Sequence, residues 1–220
     1  DVVEGLPEVP AGGRTEQQAT KREVTMAARV ATISLTGISP YSPSKAYDPD
    51  VDPRGEKETA DDHEKRVWRN RIHRAEDGTA LIPAMMVQFL IQFIAKRIGA
   101  KIPGKRNATY TKHFEGGIMV QDDVRIEGTH WEKVRGQWFH LNADGKRGGG
   151  TRVWRCMPMI DKWDVTFDVV LLDDEIPEEL FERVVREGGL FCGFGRFAPR
   201  KGGTNGRYQV RKITWGKLTA

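Results

Sequence analysis

Cysteine is scarce: Cys156 and Cys192 are the only two in 220 residues. Neither belongs to a CxxC pair, so a zinc site of the usual spacing is not expected. Both stand in apolar, strand-like contexts that suit buried free thiols, and a reducing, cytoplasmic compartment agrees with that. No apolar run approaches the length of a membrane-crossing helix, and the first residues carry no apolar signal core. Nucleotide signatures are missing as well. No Gly-Lys-Ser/Thr follows a glycine loop at P-loop spacing, and no glycine fingerprint opens a helix after a first strand. Two metal patterns begin and fail. His63-Glu64 starts like a zincin helix, but Val67 takes the place of the second histidine. Asp48, Asp50 and Asp52 alternate as in a calcium loop, but no glutamate closes a twelve-residue register. Neither a Ser-His-Asp set nor a catalytic carboxylate pair stands out at convincing spacing. No metal or cofactor is therefore expected.

What is present is clustered charge. The formal net charge is +4 and the pI about 9.1, a mild excess that fits an anionic partner. Residues 1–25 are the acidic end, with Asp1, Glu4, Glu8, Glu16 and Glu23. Lys146–Arg155 and the glycine-rich stretch near the C-terminus are almost free of acid.

The pattern along the chain predicts an α+β protein. Residues 1–25, rich in Glu, Gly, Pro, Gln and Thr without an apolar period, read as a flexible N-terminal arm. Residues 26–220 read as one domain with an insertion at about 101–150. Ala28–Ile38 alternates β-branched residues and predicts a first strand. Thr59 caps a predicted charged helix running to His73, with Asp61 and Asp62 in its first turn. Pro83 opens a predicted core helix to Ile98, and Gly99 stops it. The stretch 101–150 is irregular, with short strands at Ile118–Val120 and Val124–Ile126 and apolar anchors at Trp131, Trp138 and Phe139. Arg152–Ile160 and Trp163–Leu172 read as a strand pair joined at Asp161-Lys162. Pro177 opens a second helix, and Arg207–Trp215 reads as the last strand.

The densest chemistry lies between Gly193 and Tyr208. Gly193, Gly195, Gly202, Gly203 and Gly206 leave backbone free of Cβ atoms, so that φ can be positive or another chain can come close. Arg196, Arg200, Lys201 and Arg207 stand among them, with Phe194, Phe197 and Tyr208. Amides, cations and flat rings together suit a phosphate backbone with accessible bases. The same residues also suit a long structural turn with solvated charges. Lys146, Arg147, Arg152 and Arg155 repeat the glycine-and-cation pattern on a smaller scale, and Lys105, Arg106 and Lys112 add cations in the insertion.

Without the insertion the element order is strand, helix, strand, strand, helix, strand, a ferredoxin-like or RRM-like βαββαβ unit. With a glycine-rich loop between second helix and last strand, and Ile82-Pro83 entering the first core helix, the layout resembles the RAMP superfamily of CRISPR-associated proteins. The insertion resembles the thumb of that family's backbone subunits, which coat a guide RNA as a filament. Gly37-Ile-Ser-Pro-Tyr41 and Gly193-Phe-Gly-Arg-Phe197 also resemble segments of small phage and prophage proteins. The resemblance implies a non-catalytic protein binding single-stranded nucleic acid, RNA before DNA. It implies partners among copies of itself along the strand or other subunits of a ribonucleoprotein, and no membrane. Phe194, Phe197, Tyr208 and Trp154 are placed to stack on bases or brace the loop. One alternative is a metal-independent endoribonuclease of RAMP type. Its general base would come from His63, His73, His113, His130 or His140; His113, flanked by Tyr110 and Lys112, is the best placed. The other alternative is a phage structural protein that binds protein.

Overall fold

The computed structural model describes residues 28–46, 48, 50–143 and 150–218. The N-terminal arm and the cations Lys146 and Arg147 lie outside the described residues. In chain order the strands and α-helices are β1 (Arg29–Gly37), α1 (Ala60–Val67), β2 (Thr79–Ile82), α2 (Ala84–Ile98), α3 (Thr111–Gly116), β3 (Ile118–Met119), β4 (Val124–His130), β5 (Arg135–Asn142), β6 (Arg152–Met159), β7 (Asp164–Leu171), α4 (Glu178–Phe191) and β8 (Tyr208–Lys217).

β1 organises the domain because its alternation separates two faces. Ala31, Ile33 and Leu35 point into the core, while Thr32, Ser34 and Thr36 point out. β7 and β8 flank β1 in antiparallel pairing, and β3 adds to the far side of β7. The four-stranded sheet therefore runs β8-β1-β7-β3. That is the fourth, first, third and second strand of a βαββαβ unit, the ferredoxin-like arrangement expected from the sequence.

Helices α2 and α4 close the core. Val87, Leu90, Ile91 and Ile94 from α2 meet Phe181, Val184 and Val185 from α4 under the inner side chains of the sheet. α2 begins after Pro83 and ends at Gly99 in the left-handed region (φ 57°), with Lys96 and Arg97 in its last turn, as its sequence signals predict. Thr59 caps α1 by accepting from the Asp62 amide at 3.2 Å.

One predicted pairing is different in the structure. β6 pairs with β5, not with β7. The second strand of the unit is instead the two-residue β3, which lies within 101–150 together with α3, β4 and β5. β3 pairs only with Val170 and Leu171 at the end of β7.

The outer face of the four-stranded sheet is polar. Thr32 donates to Asp168 and Thr36 to Asp164, both at 2.6 Å, and the Ser34 and Thr166 hydroxyls lie 3.1 Å apart. No aromatic side chain occupies these paired positions, so this face is no platform for stacking bases.

Candidate nucleic-acid interface

Aromatic faces are exposed elsewhere, on the β5–β6 hairpin. Its pairing runs from Arg135↔Met159 to Asn142↔Arg152. Side chains alternate across a strand, so Trp138, His140 and Asn142 share one face with their partners Cys156, Trp154 and Arg152. His140 and Trp154 stack at 4.9 Å between ring centroids. Trp138 is 40% and Trp154 48% exposed. The opposite face packs inward, where Phe139 meets Phe197 at 5.0 Å.

The base of the hairpin is fixed by a buried carboxylate. Glu64, from α1, is 1% exposed. It accepts two bonds from Arg71 (2.8 and 3.0 Å), one from Arg155 (3.2 Å) and one from the Cys156 amide (2.8 Å). Those donors replace the water that a buried carboxylate loses. The bond to the Cys156 amide also occupies a β6 group that β5 does not use, so α1 covers that edge of the hairpin. Trp68, in the single 3₁₀ turn after α1, packs beside Gly136 and Cys156. Burial and the nearby Glu64 push the Cys156 thiol up to about 11, so it is no nucleophile at neutral pH.

The glycine-rich loop packs against its own protein. A Cβ on Gly195 (φ 77°) would stand 2.2 Å from the Ser42 carbonyl oxygen and 2.8 Å from the Tyr41 ring. A Cβ on Gly203 would stand 1.9 Å from the Phe197 carbonyl oxygen, and one on Gly193 2.7 Å from Pro199. The missing side chains make room for the protein's own chain, Ser42 and Tyr41 at Gly195 and the loop backbone at Gly203, which corrects the expectation that Gly195 and Gly203 open the loop to a ligand. Tyr208 is corrected too: it is 2% exposed and donates its hydroxyl to the Val185 carbonyl at 2.8 Å. Phe194 stacks on it at 5.1 Å, so both rings brace the loop from the core.

Two loop cations are held by carbonyls. Arg196 donates to the Pro43 carbonyl at 3.2 Å and the Lys45 carbonyl at 3.4 Å, and burial pulls its pKa below the ordinary guanidinium value. Arg207 donates to the Leu190 carbonyl. Arg200 lies over the Phe89 ring, 4.6 Å from its centroid. Lys201 is exposed at the loop's surface.

The other predicted residues are spread over the surface. Arg152 is exposed at the outer end of the hairpin, on the face of the indoles, whereas Arg155 turns to Glu64. Lys105 pairs at 3.6 Å with Glu175, and Arg106 sits in the turn before α3 with φ 34°. Lys112 is exposed on α3. His113 binds Asp173 through Nδ1 at 2.7 Å and lies beside the Tyr110 ring, which ties α3 to the turn after β7. His73 is half-buried, and burial followed by the Lys45 charge lowers its pKa. Among the described residues no group of three His, Cys, Asp or Glu could hold a metal ion, and no helix is long and apolar enough to cross a membrane.

No protein-family model and no curated protein matches the chain. Solved structures do. A chain in the cryo-EM structure of the Type III-B Cmr-beta bound to cognate target RNA aligns with 87% of this chain at 11% identity and a TM-score of 0.53. This chain shares the fold of that chain. It spans 62% of that relative's length. The crystal structure of Cmr6 from Pyrococcus furiosus aligns with 84% of this chain and 99% of its own, at 11% identity and a TM-score of 0.46.

Proposed function

We propose that this protein is a non-catalytic, single-stranded RNA-binding subunit of a CRISPR-type ribonucleoprotein, and that it assembles with copies of itself or with other subunits along the strand. The observation that carries the reading is the pair of exposed indoles, Trp138 and Trp154, on one hairpin face beside Arg152. Bases stack on such faces whatever their sequence, each stack contributing about 1–3 kcal/mol. Arg152 holds the adjoining phosphate, with Lys146 and Arg147 a few residues before it in sequence. Lys105, Arg106, Lys112 and Lys201, exposed elsewhere on the surface, add to the attraction for the strand. The fold it shares with a chain from a complex bound to target RNA supports RNA as the ligand. Two free, buried cysteines agree with work in a reducing cytoplasm.

The test is fluorescence anisotropy with labelled oligouridine at several salt concentrations. Trp154→Ala should weaken binding by about 5–150-fold, the loss of one stack. Equal affinity of the wild type and a Trp138→Ala, Trp154→Ala double variant would remove the reading.

The endoribonuclease alternative gains one observation, the bond that orients His113 on Asp173. Such a pair would set a general base, but cleavage also needs a group to protonate the leaving oxygen. Incubation with labelled RNA distinguishes the two readings, as described below.

A further inference from the structure

A second exposed surface lies on α2 and the end of α4. Met85, Phe89, Phe93 and Arg97 recur every fourth residue along α2 and so share one face. Met85 is 84% and Phe89 46% exposed, and at the end of α4 Leu190 is 48% and Phe191 45% exposed. Ring contacts join several of these residues. Phe89 stacks on Phe93 at 5.7 Å, Arg200 lies over Phe89, and Arg97 lies 4.8 Å from the centroid of Phe191. Arg200 also approaches the Cys192 sulfur at 3.6 Å, beside Phe191. α2 contains no carboxylate, and neither does the chain from Gly188 onward. Large apolar side chains thus stand exposed together with cations. Folded monomers rarely leave such a patch uncovered.

The geometry selects the occupant. Guanidinium groups already lie over the faces of Phe89 and Phe191, and Phe93 is the other ring against Phe89. A nucleobase needs an open ring face; on the hairpin Trp138 is 40% exposed, and Trp154, stacked on His140 on one side, is 48% exposed. The α2–α4 patch offers ring edges, the Met85 thioether and the Leu190 side chain, which suit aliphatic partners. Arg97 and Arg200 present planar forks that match carboxylates bidentately. We propose that this surface docks a neighbouring protein subunit through a segment that combines acidic and apolar side chains. It shares no residue with the indole face, so it can fail or hold independently of RNA binding.

The experiment uses the full chain and three labelled probes: a short peptide of glutamate and leucine, its lysine-for-glutamate counterpart, and oligouridine. The acidic peptide should bind saturably and the lysine peptide should not. Phe89→Ser and Arg97→Glu, both at exposed positions, should each weaken the acidic peptide by about tenfold and leave oligouridine affinity within about twofold. Absent or indifferent peptide binding, or acidic-peptide affinity unchanged in both variants, would overturn the proposal. So would a tenfold loss of oligouridine in these variants, which would make the patch a nucleic-acid site.

Discussion

Gly195→Val tests whether the glycine-rich loop is built for packing or for a ligand. Gly195 has φ 77°, a region that costs an L-residue about 1–2 kcal/mol. The new Cβ would stand 2.2 Å from the Ser42 carbonyl oxygen, and both Ser42 and Tyr41 are fully buried with nowhere to retreat. Overpacking of that kind costs about 1–3 kcal/mol. Moving Ser42 away also breaks the bond from the Arg196 amide to its carbonyl, 2.8 Å long. Strain and overpacking sum to about 2–5 kcal/mol, and for a chain of this size each kcal/mol moves Tm by about 2–4 °C. A fall in Tm of about 4–20 °C is expected from thermal melts followed by circular dichroism. Oligouridine affinity, measured well below the lowered Tm, should stay within about twofold of wild type. An unchanged Tm with collapsed binding would refute the reasoning and return the loop to the ligand.

Arg152→Ala should make the log–log salt dependence of oligouridine binding shallower by about 0.7, the share of one phosphate contact; an unchanged slope would place Arg152 off the strand. Glu64→Ala takes the carboxylate from Arg71, Arg155 and the Cys156 amide and should cost about 3–5 kcal/mol in urea unfolding, while a loss below about 1 kcal/mol would show that the network stabilises little. His73 has a pKa held below its ordinary 6.5, so the unfolded chain takes up its proton first. Stability should therefore fall as pH drops from 7 through that ordinary value toward the folded one, and His73→Gln should flatten this part of the profile; an identical slope in the variant would exclude His73 as its source. Labelled RNA should stay intact for hours with wild-type protein, and cleavage abolished by His113→Ala but not by His73→Ala would replace binding with catalysis.

The local signals in the sequence were legible where one residue type has one job. Thr59 as a cap, Pro83 before α2 and Gly99 after it appear where their chemistry puts them. β3 was harder to place as the second strand because only Ile118 and Met119 join the sheet. β6 and β7 both alternate and are separated by a tight connection, so local pattern favours pairing them; the actual partner, β5, lies on the other side across a longer connection. In the site, the exposed Trp138 was read as an apolar anchor. The signal that would have placed it was the period of two linking Trp138 to His140, opposite Trp154 on the next strand. The role of the glycines was illegible for a different reason. Whether a missing Cβ makes room for a ligand or for the Ser42 carbonyl depends on contacts between residues far apart in the chain.

The carboxylate under the hairpin has a consequence for how that hairpin must assemble. Backbone amides along β6 alternate between facing β5 and facing away, and only an outward one can reach Glu64. A slip of one residue between the strands would turn Trp154 to the packed side and bring a different residue opposite Trp138. In the native alignment the Cys156 amide meets the carboxylate while Arg155 reaches it from the neighbouring position. Glu64 thus acts as a registry pin. A misaligned hairpin would keep the Arg71 bonds but forfeit those from the Cys156 amide and Arg155, so the carboxylate favours the alignment that turns the indoles outward.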